Sequence, residues 1–428
     1  MLVRLQRFHL LSHLKPKVFF EQHRYMATVT AENSNLVKFS DRLKHGRALA
    51  EDVWSIYNAA NLPADCINLG QGYMNFAPPE WVTNAAKEAL GVVAANHYSH
   101  PKGRIRLRQA LKKVYDPQLK RNLDVEKEIL VTSGANEGQY AVFTAFLEPG
   151  DEVIMFEPFF DQYLASVTFN GGIPVYVPLH PPANATGQFS SEEWKINPDE
   201  LRSAITPRTK MIIVNTPHNP VGKVFTRAEL EIIAALAKEH NLLVMSDEVY
   251  DTLVFDGKEH VRIATLPGMW DRTVTVGSAG SRFYEIITQP LFIFDLTESF
   301  AATGWRVGWL FGPEYIIKPT LAATTRIVFC SNSPLQEAAA AGLEQVQERK
   351  FFETQTAEYA ERRAVLTSCF DSLGLPYTNP EGSYFILLFY CIEHANIGEV
   401  YARFAFCKDL DTLMHASERL EKLKQYIV

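Results

Sequence analysis

Short polar or aromatic segments follow the apolar strands predicted in the middle of the chain, and they carry most of the side chains able to do chemistry. Asp247 comes directly after the apolar run 242–246. A buried carboxylate is costly unless a cation pairs with it, so Asp247 should face a cation such as a pyridinium nitrogen. Tyr250 and Asn219 could donate hydrogen bonds to an oxygen on the same ring, and Phe160 offers a flat face for stacking.

A second group of residues is suited to binding a phosphate. Gly134, Ala135 and Asn136 are predicted to open a helix, whose first backbone N–H groups suit an anion. Ser278 and Arg306 could add a hydroxyl and a fixed cation. An acid, ring-oxygen donors, an aromatic face and a phosphate cup together describe a site for pyridoxal 5′-phosphate. No set of metal ligands and no nucleophile–base triad in the sequence competes with it.

Each of these features has an ordinary structural explanation when it is taken alone. A buried aspartate more often caps a helix or joins a structural ion pair, and a phenylalanine after a strand usually belongs to the core. Arg306 could be a surface cation. The occurrence of all the features together, in this order, is much harder to explain by structure alone, so we favour a cofactor site.

The elements that must position these residues are strands of one sheet. Short β-branched runs, several of them separated by helical stretches, occur at 129–132, 152–156, 174–178, 211–214, 242–246 and 273–276. The clearest helix is 226–240, where Thr226 and Glu229 form a capping box before an apolar stripe. Apolar strands joined by crossover helices predict an α/β fold with a mostly parallel sheet flanked by helices. Such sheets bind ligands at the carboxyl ends of their strands.

Composition narrows the class of protein. The 428 residues are 47% hydrophobic, and 42 Lys and Arg stand against 49 Asp and Glu, for a net charge of −7. This length suggests two or three domains, and the lack of a basic excess argues against a nucleic-acid partner. No apolar run approaches the ~20 residues that cross a bilayer, so no membrane partner is expected. The five scattered cysteines fit a reducing compartment without structural zinc.

The same segments resemble a known family. The sequence is similar to the fold-type-I, class I/II aminotransferases, and within them to the kynurenine aminotransferase and cysteine-conjugate β-lyase group. The matching segments are 67–72, 150–153, 157–161, 215–225 (NTPHNPVGKVF), 246–250 (SDEVY), 277–280, 303–309 and 380–385. The resemblance implies transfer of an amino group from kynurenine or a similar aromatic amino acid to a 2-oxo acid. β-Elimination from cysteine conjugates is the alternative reaction.

The resemblance also assigns the candidate residues to parts of the cofactor, pyridoxal 5′-phosphate. It implies that Asp247 pairs with the pyridine nitrogen and that Asn219 and Tyr250 hold the ring oxygen. Phe160 would stack on the ring. The residues implied for the phosphate are Ala135, Asn136, Ser278 and Arg306.

Three further residues are implied for the partner subunit and the substrate. Tyr98 would reach the phosphate of a neighbouring subunit, which implies a homodimer with shared sites. Gly72 and Arg403 would hold the substrate carboxylate, and a guanidinium fork suits that role because it binds a carboxylate through two hydrogen bonds.

The family's chemistry needs a lysine, which binds the cofactor covalently and then moves a proton. In relatives this lysine lies between the segments that are 277–280 and 299–305 here. Its position falls within Ser281 to Glu298, and no lysine occurs between Lys258 and Lys318. We therefore predict that the chain as written has no catalytic lysine and is inactive.

Two explanations fit residues 281–298, which stand where relatives have one residue. In the first, the 17 additional residues are translated intron. If Ser281 is encoded by AGT and Glu298 by GAG, removing 51 nucleotides that begin with GT leaves AAG, a lysine codon. In the second, the segment is a true insertion in a catalytically inactive variant that only retains the fold. Sequencing the mature transcript distinguishes the two.

The predicted organisation has four parts. Residues 1–26 contain five Lys and Arg against one acid, a composition typical of a mitochondrial targeting leader; a frayed tail is the alternative, and the expected location is mitochondrial or cytoplasmic. Residues 27–65 form an N-terminal arm, 66–313 a large cofactor-binding domain containing the insertion, and 314–428 a smaller α+β domain. The small domain is predicted to be truncated near Leu388, because relatives carry a few dozen further residues there.

Overall fold

The computed structural model describes residues 37, 40, 63–183, 187–279, 303–389 and 401–427. The predicted leader 1–26, nearly all of the arm 27–65 and the insertion with Ser281 and Glu298 lie outside these residues. So does the segment 390–400, which follows the predicted truncation. The four-part division of the chain stays a prediction.

The described residues form alternating strands and helices. The strands are β1 (Ile129–Thr132), β2 (Glu152–Glu157), β3 (Ile173–His180), β4 (Gln188–Ser190), β5 (Lys195–Ile196), β6 (Thr209–Asn215), β7 (Leu243–Asp247), β8 (Thr273–Ser278), β9 (Gly308–Phe311), β10 (Tyr377–Asn379), β11 (Phe385–Phe389) and β12 (Tyr401–Ala405). The α-helices are α1 (Glu80–Gly91), α2 (Ile105–Leu119), α3 (Ala135–Phe146), α4 (Gln162–Phe169), α5 (Pro198–Ser203), α6 (Arg227–Glu239), α7 (Glu314–Ile327), α8 (Ser333–Gln345), α9 (Phe351–Leu373) and α10 (Leu410–Glu421).

The large sheet has eight strands in the order β1-β9-β8-β7-β6-β2-β3-β5. Its central strands run parallel from β3 through β2, β6 and β7 to β8, while β9 lies antiparallel between β8 and β1. The six strands predicted from the sequence are all present. The predicted α/β fold with a mostly parallel sheet is confirmed, and so is the capping box of Thr226 and Glu229 at the start of α6.

Neighbouring residues of the central strands pack into two different cores. Ile154, Ile212 and Val244 belong to one apolar cluster, whereas Val153 and Met245 belong to another. Side chains alternate between the two faces of a strand, so the sheet is buried on both sides. The strands are thereby held rigidly, and the residues at their carboxyl ends have fixed positions.

The small sheet has four strands in the order β12-β11-β10-β4. Its strands β10, β11 and β12 lie within 314–428, the range predicted to be an α+β domain, and that range also contains α10, which a short 3₁₀ helix follows to Tyr426. The sequence did not indicate β4, which lies within the range 66–313 but pairs in parallel with β10. The small sheet therefore takes one strand from the stretch assigned to the large domain.

No helix in the described ranges is long and apolar enough to cross a membrane. Within the same residues, no group of three or more His, Cys, Asp and Glu side chains could hold a metal ion. Cys66, Cys330, Cys369 and Cys407 are free thiols.

Candidate active site

The carboxyl ends of β6, β7 and β8 bring several of the predicted residues to one edge of the sheet. Asn215, the last residue of β6, pairs with Asp247, the last residue of β7. The Asn215 side-chain amide donates to the Asp247 carbonyl at 3.0 Å, and its oxygen accepts from the backbone N–H of Asn219 at 2.7 Å. Asn219 is therefore fixed beside Asp247, as the sequence predicted from two separate segments.

The Asp247 carboxylate is almost fully buried, at 3% exposure. Its Oδ2 accepts from Gln139 Nε2 at 2.7 Å and from the Tyr163 hydroxyl at 2.5 Å. Burial raises the pKa of Asp247 from 3.8 to about 6, although both hydrogen bonds act in the opposite direction. The carboxylate thus lies in a place where its charge is poorly compensated by the protein.

Sequence reasoning missed Gln139 and Tyr163. Gln139 lies one helical turn after Ala135 in α3, so the i, i+4 spacing places both residues on one face of the helix. Tyr163 follows Phe160 by three residues, and their rings pack edge to face at 5.6 Å. The spacing was the signal in the sequence that could have identified them: each is a polar residue that follows a predicted cofactor contact by three or four positions.

The surroundings of Asp247 fit the predicted cofactor. Within the described residues, no Lys or Arg forms an ion pair with Asp247, and the buried Asn136 Oδ1 has no hydrogen-bond partner there. A protonated pyridine nitrogen would supply the cation that a buried carboxylate needs. The polar groups that remain for a ligand are therefore of the kind that pyridoxal 5′-phosphate requires.

The first turn of α3 has the geometry that an anion site requires. Gly134 has a positive φ of 84° and precedes the helix, and a Cβ atom placed on it would lie 2.5 Å from Arg306 Nη2. A Cβ atom on Gly308 would lie 2.6 Å from the backbone nitrogen of Ala135, and Gly308 pairs with Ser278 in the sheet. The two glycines let Ala135, Ser278 and Arg306 come together at the first turn of the helix, where backbone N–H groups suit a phosphate.

The residues predicted to bind the substrate carboxylate lie next to Asn219. Arg403 Nη1 donates to Asn219 Oδ1 at 3.0 Å and Nη2 donates to the Gly70 carbonyl at 2.8 Å. The guanidinium carbon lies 4.3 Å from the ring centre of Phe385. A Cβ atom on Gly72 would lie 2.7 Å from the same ring. The structure therefore brings Gly72, Arg403 and Asn219 together around Phe385.

Tyr250 and Tyr98 have opposite environments. Tyr250 is buried, packs edge to face on Tyr384 at 5.1 Å, and has a pKa raised above its ordinary value by burial. Its hydroxyl is therefore protonated and able to donate a hydrogen bond. Tyr98 is 86% exposed and packs against Phe329 at 5.4 Å. The structure thus places Tyr98 on the surface of the subunit, separate from the buried residues around Asp247.

The substitution Asp247→Asn should remove a pH dependence of stability from the cofactor-free protein. Because the folded state raises the pKa of Asp247 from 3.8 to about 6, it holds this proton more tightly than the unfolded state. The free energy of unfolding should fall as pH rises from about 4 to 6, by about 3 kcal/mol from this group. Below pH 4 the Asp247 carboxyl is protonated in both the folded and the unfolded state. Above pH 6 it is ionised in both states, and the loss of stability is complete. Thermal unfolding of the unaltered chain and of Asp247→Asn is measured at pH 4 and pH 7. The same change in stability between the two pH values in both proteins would contradict the prediction.

Known proteins show the same fold and matching sequences. The profile of the family "Aminotransferase class I and II" matches residues 64–410. The kynurenine–oxoglutarate transaminase of Dictyostelium discoideum is 36% identical over 89% of this chain and 96% of its own length. Kynurenine–oxoglutarate transaminase 1 of Homo sapiens is 33% identical over 84% of this chain and 93% of its own. The crystal structure of Bna3p from Saccharomyces cerevisiae superposes with a TM-score of 0.81 at 38% identity, covering 91% of this chain and all of that one.

Proposed function

Since the chain belongs to the aminotransferase class I and II family, we propose that it transfers the amino group of kynurenine or a similar aromatic amino acid to a 2-oxo acid. The chain is a pyridoxal 5′-phosphate-dependent aminotransferase, and its substrates are amino acids and 2-oxo acids. The kynurenine donor is supported by the relatives, which are named kynurenine–oxoglutarate transaminases. These relatives give no support to the alternative of a protein that only retains the fold.

Different residues at the strand ends are assigned to different parts of the cofactor. When bound, the cofactor withdraws electrons from the α-carbon of the amino acid. We assign to Asp247 the role of keeping the pyridine nitrogen protonated, because a buried carboxylate favours a cation beside it. Asn219 and Tyr250 donate to the ring oxygen, and Phe160 stacks on the ring. The residues assigned to the phosphate are Ala135, Asn136, Ser278 and Arg306.

The single observation that best supports binding of an amino-acid carboxylate is the position of Arg403. Its guanidinium lies over Phe385 and against Asn219, without a carboxylate partner in the described residues. Arg403→Lys should raise the KM for the amino-acid donor by roughly 10–100-fold, because a lysine cannot form the two parallel hydrogen bonds. Initial rates at varied donor concentration measure this, with a single lysine in place of residues 281–298 in both proteins compared. An unchanged KM would show that the carboxylate binds elsewhere.

A comparison of donors tests the proposed substrate. Kynurenine, phenylalanine and aspartate are each incubated with 2-oxoglutarate and the variant in which a single lysine replaces residues 281–298, and glutamate formation is followed. Faster turnover of the aromatic donors supports the proposal, and a clear preference for aspartate would overturn it. The alternative reaction is β-elimination from a cysteine conjugate. Only that reaction releases pyruvate directly from the conjugate, so a pyruvate assay separates the two activities.

A homodimer is supported by an exposed apolar surface near Tyr98. Tyr98, 86% exposed, packs against Phe329, 49% exposed, and the exposed Val93 (74%) and Leu90 (60%) precede it in the chain by five and eight residues. Apolar groups clustered on a surface mark protein interfaces, and Tyr98 would there reach the phosphate of the neighbouring subunit. Val93→Asp should shift the protein from dimer to monomer in analytical ultracentrifugation. Met414→Asp, at a residue of 47% exposure on α10, is the matched control and should leave the dimer intact.

Two proposals concern residues outside the described ranges. We infer that the chain as written has no catalytic lysine, because residues 281–298 stand where relatives carry it. This predicts that replacing the segment by one lysine restores activity. We also infer that residues 1–26 direct the protein to mitochondria, the cytoplasm being the alternative location. The five Lys and Arg against one acid support the leader. Imaging of a fluorescent protein fused behind residues 1–26 tests it.

A further inference from the structure

A buried group of charged side chains lies behind the turn that follows β7, and the proposed reaction does not use it. We call it the Arg262 cluster: Glu248, Asp251, His260 and Arg262. The four side chains are between 0% and 7% exposed. Arg262 Nη1 donates to Glu248 Oε2, and Nη2 donates to Asp251 Oδ2 at 2.6 Å. His260 Nε2 lies 3.1 Å from Glu248 Oε2.

The turn itself explains why these acids point away from the site. The Asp251 backbone N–H donates to the Glu248 carbonyl at 3.1 Å, which closes a turn of the i to i+3 kind. In such a turn, side chains three positions apart point in the same direction. Asp247 and Tyr250, which are also three positions apart, are the residues that we assign to the proposed cofactor. Glu248 and Asp251 form the other pair, and both contact Arg262.

Arg262 connects this turn to the rest of the protein. Its Nη2 also donates to Gln118 in α2, and its guanidinium carbon lies 5.1 Å from the ring centre of Tyr115 in the same helix. Two buried carboxylates on one turn would repel each other, and a planar guanidinium between them offsets the repulsion and fixes their distance. Arg262 therefore ties both acids that follow Asp247 to helix α2.

We propose that Arg262 is a positioning residue for the cofactor: by joining Glu248 to Asp251 it holds the turn so that Asp247 and Tyr250 face the cofactor ring together. The inference rests on the proposed roles of Asp247 and Tyr250. Arg262 touches neither the substrate nor the cofactor, so its effect passes through the shape of the turn.

The variant Arg262→Lys keeps the charge but loses the fork that reaches both acids. Losing a residue that orients a ligand-binding group costs a metal site about 10–100-fold in affinity, and we expect the dissociation constant of pyridoxal 5′-phosphate to rise by about tenfold. The full-length chain is titrated with pyridoxal 5′-phosphate by quenching of tryptophan fluorescence. Arg363→Lys is the matched control, because both Nη atoms of Arg363 donate to Asp256 at 2.7 Å, and the Asp256 side chain is 50% exposed. It should leave the dissociation constant unchanged.

A second variant separates positioning from simple stabilisation. The triple change Arg262→Met, Glu248→Gln and Asp251→Asn removes the buried charges together, so its thermal midpoint should lie close to that of the unaltered chain. We expect its affinity for pyridoxal 5′-phosphate to stay weakened, because the turn is no longer held. Parental affinity in either the triple variant or Arg262→Lys would overturn the proposal. Asp247→Asn reports on the proposed function separately: parental affinity there would show that Asp247 is not a cofactor residue.

Discussion

Replacing residues 281–298 by a single lysine should raise the transaminase activity of this chain by about 10³-fold. The amine would bind the cofactor covalently and then move the proton at the α-carbon, and a positioned acid–base group alone contributes about 10²–10⁴-fold. In the described residues, the buried Asp247 ends β7, Arg306 lies against the first turn of α3, and Arg403 contacts Asn219. We therefore expect the lysine to be the missing part rather than one of several. Glutamate formation from kynurenine and 2-oxoglutarate measures the gain.

The control for this experiment is the same deletion with a single glutamine in place of the lysine. It removes the same residues but supplies no amine, so it should stay at the activity of the unaltered chain. A visible absorbance band of covalently bound cofactor that survives dialysis should appear in the lysine variant alone. Equal activity in the unaltered chain and the lysine variant would show that residues 281–298 do not interrupt the site.

Asp247→Asn should lower the activity by about 10²–10³-fold, comparable to losing one preorganised charge-stabilising group in other enzymes. Asparagine keeps an oxygen that can accept from Gln139 or Tyr163, so the fold around it should persist. It cannot balance a positive charge on the pyridine nitrogen, and the cofactor would withdraw electrons less effectively. The fall should appear mainly in kcat, measured in whichever form of the chain, with or without residues 281–298, turns over faster.

Asp161→Asn provides the matched control for Asp247→Asn. Asp161 is an exposed acid beside Phe160 at the start of α4, so it shares the chemistry of the change but not the burial. It should retain activity within about twofold, as a surface substitution usually does. Similar losses in both variants would mean that Asp247 acts only through the net charge of the region.

The residues at the strand ends could be predicted from sequence because their positions depend on local signals. An apolar run followed by Asp247 indicates a strand end, and parallel strands bring their carboxyl ends to one edge. Asn219 and Arg403 meet at 3.0 Å although 184 residues separate them, and only the resemblance to a family linked them in advance. The contact itself depends on how β12 packs beside the loop after β6.

Other contacts left no local signal that identifies the partner residue. Gln139 and Tyr163 are polar residues within helices, and nothing in their own segments shows that they meet on Asp247. The pairing of Arg262 with Glu248 and Asp251 depends on the loop between β7 and β8, which carries no repeating pattern. β4 is three residues long and pairs with β10 far along the chain. Short strands of this kind are set by tertiary packing, which a single sequence does not display.

Because of strand β4, the chain cannot be cut at one point into two segments that each contain one complete sheet. Residues 188–190 belong to the small sheet, yet the chain enters and leaves them from strands of the large one. A break at 313–314 would separate β10 from its parallel neighbour β4. In its own fragment, β4 would then have no strand to pair with. The two halves could therefore not be exchanged between relatives as independent units. Recombination that preserves the fold would have to carry 188–190 together with the carboxyl-terminal part of the chain.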